Sequence, residues 1–339
     1  MNRGTLISPV GTGLWEKYSL SIQTTSIIIH LNNILSCRFQ QRNNLIMPLK
    51  QYDYAIIIGE VFIQVSNNKN HVIIMKKLGD RQMGKKEIGY CHICGCYGNL
   101  SYEHIPPENA LNNNKAIIYT GDDVIKRYKG EKSRYICRQQ GMGKFSLCEN
   151  CNNKTGSWYV PQYSDVAKDV ARSLHKREKL EHGDVLGFSS NNFPALAFVK
   201  QVITMFCSLL PIEEVKRLGF DKLLLEKHNN EVDTTLFDLR IYLTPVNVGQ
   251  LMIGPCAVLY KTDTGFATMV VSDLGAYPFG FIMNLTPEHP IEYGASIMNL
   301  FETEYGKGYK MQWGLMYLER TSDTLPMPLQ FKSLPEDCK

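Results

Sequence analysis

Apolar positions change their spacing along the chain, and the changes divide it. Beyond residue 160 the spacing is helical first and strand-like later. Val166, Val170 and Leu174 recur four apart behind Ser164, which predicts a helix capped by that hydroxyl. Pro194 stands at a first helical position for a helix over 195–210, and 213–227 carries the stripe of another amphipathic helix. Strands are predicted at 236–243, 250–261, 267–272, 278–285 and 311–319. This order makes 161–339 an α+β domain whose residues identify no ligand. No repeat, low-complexity tract, phosphate-binding loop or dinucleotide fingerprint interrupts it.

Between 83 and 160 the pattern is shorter and more punctuated. A strand is predicted at 100–105, stopped by Pro106-Pro107, and a returning strand at 144–147. Residues 115–146 form a basic insertion marked by Gly121, Gly130, Gly141 and Gly143. Residues 1–82 are different again: rich in Ile and Asn, with apolar runs at 26–29 and 55–65 but no sustained period. Two explanations fit. One is a small β-rich extension. The other is a natural product that starts at Met83 and lacks 1–82, because Gly79-Asp80 can be encoded with a ribosome-binding sequence and Arg81-Gln82 supplies a spacer. The expected organisation is an extension over 1–82, a first domain over 83–160 and a second over 161–339.

Composition adds boundaries to this picture. With 44% hydrophobic, 10% aromatic and 21% charged residues in 339, the chain has the apolar mass for a core and is not wholly disordered. No run reaches the roughly 18 apolar residues of a membrane span, and no apolar segment of a secretory leader follows Met1-Asn-Arg-Gly. A cytoplasmic protein is expected. The net charge of +4 is uneven: 83–160 carry eleven basic and seven acidic side chains, whereas 161–339 carry seventeen and twenty-two. The basic excess therefore gathers around the cysteine pairs, where it can attract phosphate.

Of ten cysteines, four form the pairs Cys91-x-x-Cys94 and Cys148-x-x-Cys151. In a reducing compartment two such knuckles read as a tetrahedral Cys₄ site for structural Zn²⁺. Gly95 supplies the glycine that lets a knuckle turn its backbone N–H groups toward thiolate sulfur. Cys207 and Cys256 lie in apolar runs as small core residues, and Cys96 and Cys137 are spare ligands at most, read as standing outside the set. His92, inside the first knuckle, reads as exposed. Trp158 and Tyr159 are expected to pack the zinc module against the second domain.

Between the knuckles lies Glu103-His104-Ile105-Pro106, and Asn152 follows the last cysteine directly. A zinc ribbon needs neither feature. Phosphodiester hydrolysis needs both a base for water and a cation for the departing 3′ oxygen. Histidine suits the first task, and a carboxylate with a neutral amide suits a hard Mg²⁺ ion.

These residues resemble the HNH, or ββα-metal, nuclease superfamily, in particular members held together by a Cys₄ zinc, such as phage Holliday-junction resolvases. The resemblance spans 91–156 and implies a zinc-stabilised ββα-metal domain followed by the α+β domain. It implies His104 as general base, Glu103 and Asn152 as ligands of catalytic Mg²⁺ or Mn²⁺, and Cys91, Cys94, Cys148 and Cys151 as ligands of Zn²⁺. Two features depart from the family. The stretch from His104 to Cys148 is longer than in minimal members. The Asn that in many members precedes the returning strand and orients the base has no counterpart at Gly141, Met142 or Gly143, so Gln139, Gln140 or a backbone carbonyl would have to serve.

Lys126, Arg127, Lys129, Arg134, Arg138, Lys144 and Lys154, interleaved with Tyr128 and Tyr135, read as a phosphate-tracking surface for double-stranded DNA. A solvated loop is the plainer explanation of the same residues. The expected activity is endonucleolytic cleavage of DNA, in the manner of a bacterial or phage defence effector. The alternative is a zinc-dependent nucleic-acid-binding module without catalysis. The second domain leaves room for a homodimer or a regulatory partner.

Overall fold

The computed structural model describes residues 87–113, 116–118, 132, 134, 136–138, 141–177, 180–244, 251–262, 265–291 and 293–318, with two backbone strands at 55–58 and 61–64. All of these belong to one compact unit, Tyr52–Lys339. The structure is a mixture of helices and mostly antiparallel sheets, an α+β fold. No helix among the described residues is long and apolar enough to cross a membrane.

The hairpin of β1 (Ala55–Ile58) and β2 (Val61–Gln64) comes first. The cysteine-bearing part starts at β3 (Ile88–Tyr90) and turns through the first knuckle into β4 (Tyr97–His104). A hairpin of β5 (Ala116–Ile118) and β6 (Ile136–Arg138) lies within the insertion, and β7 (Gly143–Cys148) returns. β4 pairs with β3 on one side and β7 on the other, both antiparallel. β7 passes without a loop into α1 (Glu149–His175), so strand, strand and helix follow in that order.

α1 runs through residues 160 and 161, where the sequence placed a boundary. Ser164 caps nothing; it is buried within this helix, and Pro161 also lies inside it. The helix survives Pro161, which removes one N–H, because its buried stripe continues on both sides. Cys151, Thr155, Tyr159, Tyr163, Ala167, Val170 and Leu174 repeat at three- and four-residue steps and face the interior.

Beyond α1 come β8 (Val185–Phe193), α2 (Ala195–Cys207), α3 (Ile212–Arg217) and α4 (Phe220–Leu225). The single helix predicted at 213–227 is two, because Gly219 turns left-handed at φ 70° between them. β9 (Asp238–Leu243), β10 (Leu251–Thr262), β11 (Gly265–Ala276), β12 (Phe279–Asn284) and β13 (Ala295–Ser296) form a sheet in the order β10-β11-β12-β9-β13. A 3₁₀ turn at Met298–Glu302 leads to β14 (Tyr309–Met316), which pairs with β8. The five predicted strands thus recur as β9 to β12 and β14, while β8 escaped prediction.

Every residue of α2 is buried. Phe198 meets Tyr163 of α1, Phe279 and Phe281 of β12, and Trp313 of β14, with ring centroids 5.3 to 6.2 Å apart. Burying each such ring contributes about 2–3 kcal/mol, so this cluster anchors α1 to the sheet. Tyr159 and Trp158 make the second tie. Tyr159 donates through Oη to the Leu224 carbonyl at 2.9 Å, and Tyr305 donates to the Trp158 carbonyl at 2.7 Å.

The cysteine-bearing part also closes the C-terminal end of α2. The His92 ring donates from Nδ1 to the Cys207 carbonyl at 2.9 Å, Lys144 Nζ donates to the Ser208 carbonyl at 3.0 Å, and Ser146 Oγ donates to Ser208 Oγ at 2.8 Å. A helix end leaves carbonyls without partners, and these side chains supply donors where positive charge is also favoured. His92 is therefore a tie between elements rather than an exposed residue.

Lys200 is wholly buried on α2. Its Nζ donates to the carbonyls of Glu226 and Lys227 at 2.9 and 3.0 Å, beyond the end of α4, and lies 5.5 Å from the Tyr159 ring centroid. Desolvation lowers its pKa from 10.5 to about 8, against the attraction of Glu226. Between those values the unfolded chain holds a proton that the folded chain has released, so stability rises with pH there and the gain is lost as pH falls through about 8. Urea denaturation of the natural chain and of Lys200→Met is expected to show their difference moving in favour of the natural chain above pH 8. A difference that stays flat with pH removes the shift.

Candidate metal centre and adjoining polar site

The first knuckle is built by backbone bonds. Cys91 N–H donates to the Cys96 carbonyl at 2.9 Å, Gly95 N–H to the Cys91 carbonyl at 2.8 Å, and Gly95 adopts φ 73° as the turn expects. His92 N–H donates to the Ser146 carbonyl at 2.9 Å, which seats the knuckle against β7. The second knuckle is the start of α1. Cys148 is its N-cap residue and Cys151 lies in its first turn, where free N–H groups and the helix dipole favour a thiolate.

The ligand atoms of Cys91, Cys94, Cys148 and Cys151 all lie within 4.8 Å of one another. Thiolates bound to Zn²⁺ at ~2.3 Å in a tetrahedron stand about 3.8 Å apart. Cys94 Sγ and Cys148 Sγ are 3.8 Å apart, so the spacing and donor set suit zinc. Cys91 is drawn down to about 4, first by the thiol hydrogen bond from Cys151 and against the effect of burial. Cys94 is pushed up to about 12, first by burial, and Cys151 is pushed up, first by its bond to Cys91. One anion is thus tolerated and further ones are resisted, a balance that a divalent cation reverses. Cys207 is buried in α2, as its apolar run predicted, and Cys96 is exposed and outside the cluster of four. Cys137 and Cys256 lie in described strands, but their side chains fall outside the described residues.

Glu103 and His104 close β4. The Glu103 side chain is 6% exposed and has no hydrogen bond or ion pair to another described residue. Burial alone raises its pKa to about 8. His104 Nε2 is buried without a hydrogen-bond partner among the described residues. The His104 ring packs edge-on against Tyr102 at 5.1 Å, just past the irregularity in register between Ser101 and Tyr102.

Asn152 does not cap α1, which begins three residues earlier. Its Nδ2 donates to Ser101 Oγ at 3.0 Å and to the Tyr102 carbonyl at 3.3 Å. Ser101 Oγ itself donates to the Leu147 carbonyl at 2.9 Å, so it accepts from Asn152. Both partners are acceptors at that end, which fixes the amide orientation and leaves Oδ1 as the outward atom. Asn152 therefore pins the helix to β4 beside Glu103. No hydrogen bond joins Glu103, His104 and Asn152 to one another among the described residues.

Asn112 was missed by the sequence reading. It is 2% exposed; Nδ2 donates to the Pro106 carbonyl at 2.6 Å and the Met142 carbonyl at 2.8 Å, and Oδ1 accepts from Met142 N–H at 2.9 Å. Ile105 N–H also donates to the Met142 carbonyl at 2.9 Å. One amide thus clamps the chain just after His104 to the chain just before β7. Gly141 makes the approach feasible: a Cβ there would stand 1.9 Å from the Asn112 carbonyl oxygen. Gln139 and Gln140, offered with a backbone carbonyl as alternatives for orienting the base, lie outside the described residues. An Asn soon after a Pro-Pro stop was the one local hint, because Asn side chains readily bond nearby backbone.

Of the predicted phosphate-tracking residues, the structure describes the side chains of Arg134, Lys144 and Lys154. Lys126, Arg127 and Lys129 lie outside the described residues, as does the side chain of Arg138. Arg134 is exposed, and Lys154 is half-buried on α1. Lys144 turns inward to Ser208, and desolvation lowers its pKa. No family model, no curated protein and no solved structure matches the chain.

Two outcomes are expected of this region. The full chain should carry one zinc per molecule by elemental analysis; Cys151→Ser should lose it, and chelation should lower the melting temperature of the natural chain but not of the variant. Asn112→Ala takes the Asn112 partner from the Pro106 carbonyl and the Met142 N–H, while the Met142 carbonyl keeps Ile105 N–H, and should cost about 2–4 kcal/mol in urea denaturation. A cost well under ~1 kcal/mol would mean that the clamp is not rigid.

Proposed function

We propose that the cysteine-bearing part is a metal-dependent endonuclease of the HNH type that hydrolyses DNA. The observation that carries this reading is the pair at the end of β4, a desolvated Glu103 carboxyl and a His104 Nε2 buried without a partner among the described residues. An unpaired buried polar group costs about 1–3 kcal/mol, so the orphaned Nε2 next in sequence to a desolvated carboxyl speaks for ligands rather than for stability. The strand, strand and helix order of β4, β7 and α1, with a thiol cluster at the junction, supports the same reading.

His104 is the general base: Nε2 takes a proton from water, the water oxygen bonds to phosphorus, and the bond from phosphorus to the 3′ oxygen breaks. Asn112 holds the backbone that follows His104. Glu103 and Asn152 Oδ1 are the groups that would hold Mg²⁺ or Mn²⁺. When bound, such an ion supplies positive charge to the departing oxygen. Filling its place with a cation would also favour the ionised Glu103 carboxyl that burial otherwise resists. Arg134 and Lys154 are described cations that could meet neighbouring phosphates.

Plasmid nicking by the full chain with Mg²⁺ or Mn²⁺ tests the proposal. His104→Ala should lower the rate at least about 100-fold while leaving zinc content and melting temperature in place. Glu103→Gln should demand more Mg²⁺ for the same rate. Near-normal cleavage by His104→Ala removes that residue as base. Salt-sensitive DNA binding that is indifferent to Mg²⁺ and never leads to cleavage identifies a binding module instead.

A further inference from the structure

Resting on that nuclease reading, we infer that the β3–β4 ribbon carries a stacking platform for an unpaired base of the nucleic-acid substrate. Among the described residues, three of the large apolar side chains left exposed lie on one face of this ribbon. Ile88 is 56% exposed, Tyr90 58% and Tyr97 68%. Tyr90 pairs with Tyr97 across the strands, and Ile88 pairs with Asn99, so these four share a face. The tyrosine rings stand 4.9 Å apart at 60°, yet both remain mostly open to solvent. Gly89 opposes Gly98 between the pairs, so at that level the other face carries no side chain.

The area decides what can sit there. Large aromatic side chains present about 150–250 Å² each, so the exposed parts of these three amount to roughly 350–400 Å². A stable protein interface needs about 800 Å² from each partner. The platform is too small for a second copy of this chain and suits the face of one or two bases, which stack on tyrosine regardless of identity. The charge is suitable as well. Lys216 Nζ stands against the knuckle, 2.9 Å from where a Cβ on Gly95 would lie, two residues before Tyr97. A base inside an intact duplex offers no free face, so the occupant is an unpaired one.

The platform and the proposed site occupy opposite ends of β4. Seven strand steps of ~3.3 Å from Tyr97 to His104 span about 23 Å, the length of six or seven stacked nucleotides. The platform therefore engages substrate several nucleotides from the scissile phosphate.

The test uses the full chain carrying His104→Ala, so that substrate stays intact, and a single-stranded oligonucleotide containing 2-aminopurine, with its duplex form alongside. Stacking should quench the single-strand fluorescence. Tyr90→Ala and Tyr97→Ala should each weaken single-strand binding at least about fivefold, and Tyr97→Phe should retain it. Absence of quenching in chains with both tyrosines overturns the platform without reference to any tyrosine variant. Equal binding by the alanine variants does the same, even if the natural chain nicks plasmid. Conversion of an oligomer to monomer in Tyr97→Ala, read by sedimentation, would make the face a protein interface and overturn it too. If the chain binds no nucleic acid, the nuclease reading falls and takes the platform with it.

Discussion

Four sulfurs gathered within 4.8 Å of one another cannot all be thiolates unless a cation lies among them. Two unit charges about 4 Å apart repel by roughly 4 kcal/mol at an effective dielectric near 20, and the cluster contains six such pairs. Much else in the cysteine-bearing part depends on resolving that conflict. Cys91 and Cys94 belong to the turn that orients β4, whereas Cys148 and Cys151 belong to the end of β7 and the first turn of α1. A metal that joins them fixes the angle between strand and helix. That angle brings Asn152 to Ser101 and Tyr102, next to the Glu103-His104 pair.

The remaining architecture repeats one device, in which side chains of one element satisfy the carbonyl end of another. His92 and Lys144 do so for α2, while Tyr159 and Lys200 do so for α4. Each bond taken singly is worth only about 0.5–1.5 kcal/mol, but the bonds are directional and fix how the elements meet. The thiol cluster and the large sheet are consequently parts of one packed unit rather than two bodies on a linker. Residue 160 is not a hinge, because α1 carries its buried stripe straight through it.

What could be read from the sequence was whatever local chemistry dictates. Cys-x-x-Cys spacing and its glycine announced both knuckles, and the Pro-Pro pair announced the end of β4. Alternating apolar runs gave β9 to β12 and β14 to within a few residues. The failures share a different cause. Pro161 and Ser164 are poor helix-interior residues on their own, and only the packing of Tyr159 and Tyr163 overrides them. β8 is rich in Ser and Asn and is a strand because β14, more than a hundred residues later, pairs with it. Asn112 opens a run of three asparagines that looks like loop filler, since its partner Met142 lies thirty residues away. The positions of Glu103 and His104 were legible, but the desolvation of one and the orphaned Nε2 of the other were not, because burial is a property of the fold.

The length of α1 has a mechanical meaning. Its 27 residues make a rod about 40 Å long, with Asn152 in its opening turns and Val170 and Leu174 gripped near its far end. A rod of that length magnifies angle into distance: a tilt of about 2° at the gripped end displaces the opening turn by ~1.4 Å. Reacting groups tolerate errors of only about 1 Å before rates fall by orders of magnitude. Shape changes in the aromatic core around Phe198 are thus read out at the strand end as misalignment. On the proposed nuclease reading, a substitution that merely loosens that core would lower cleavage long before it unfolded the protein.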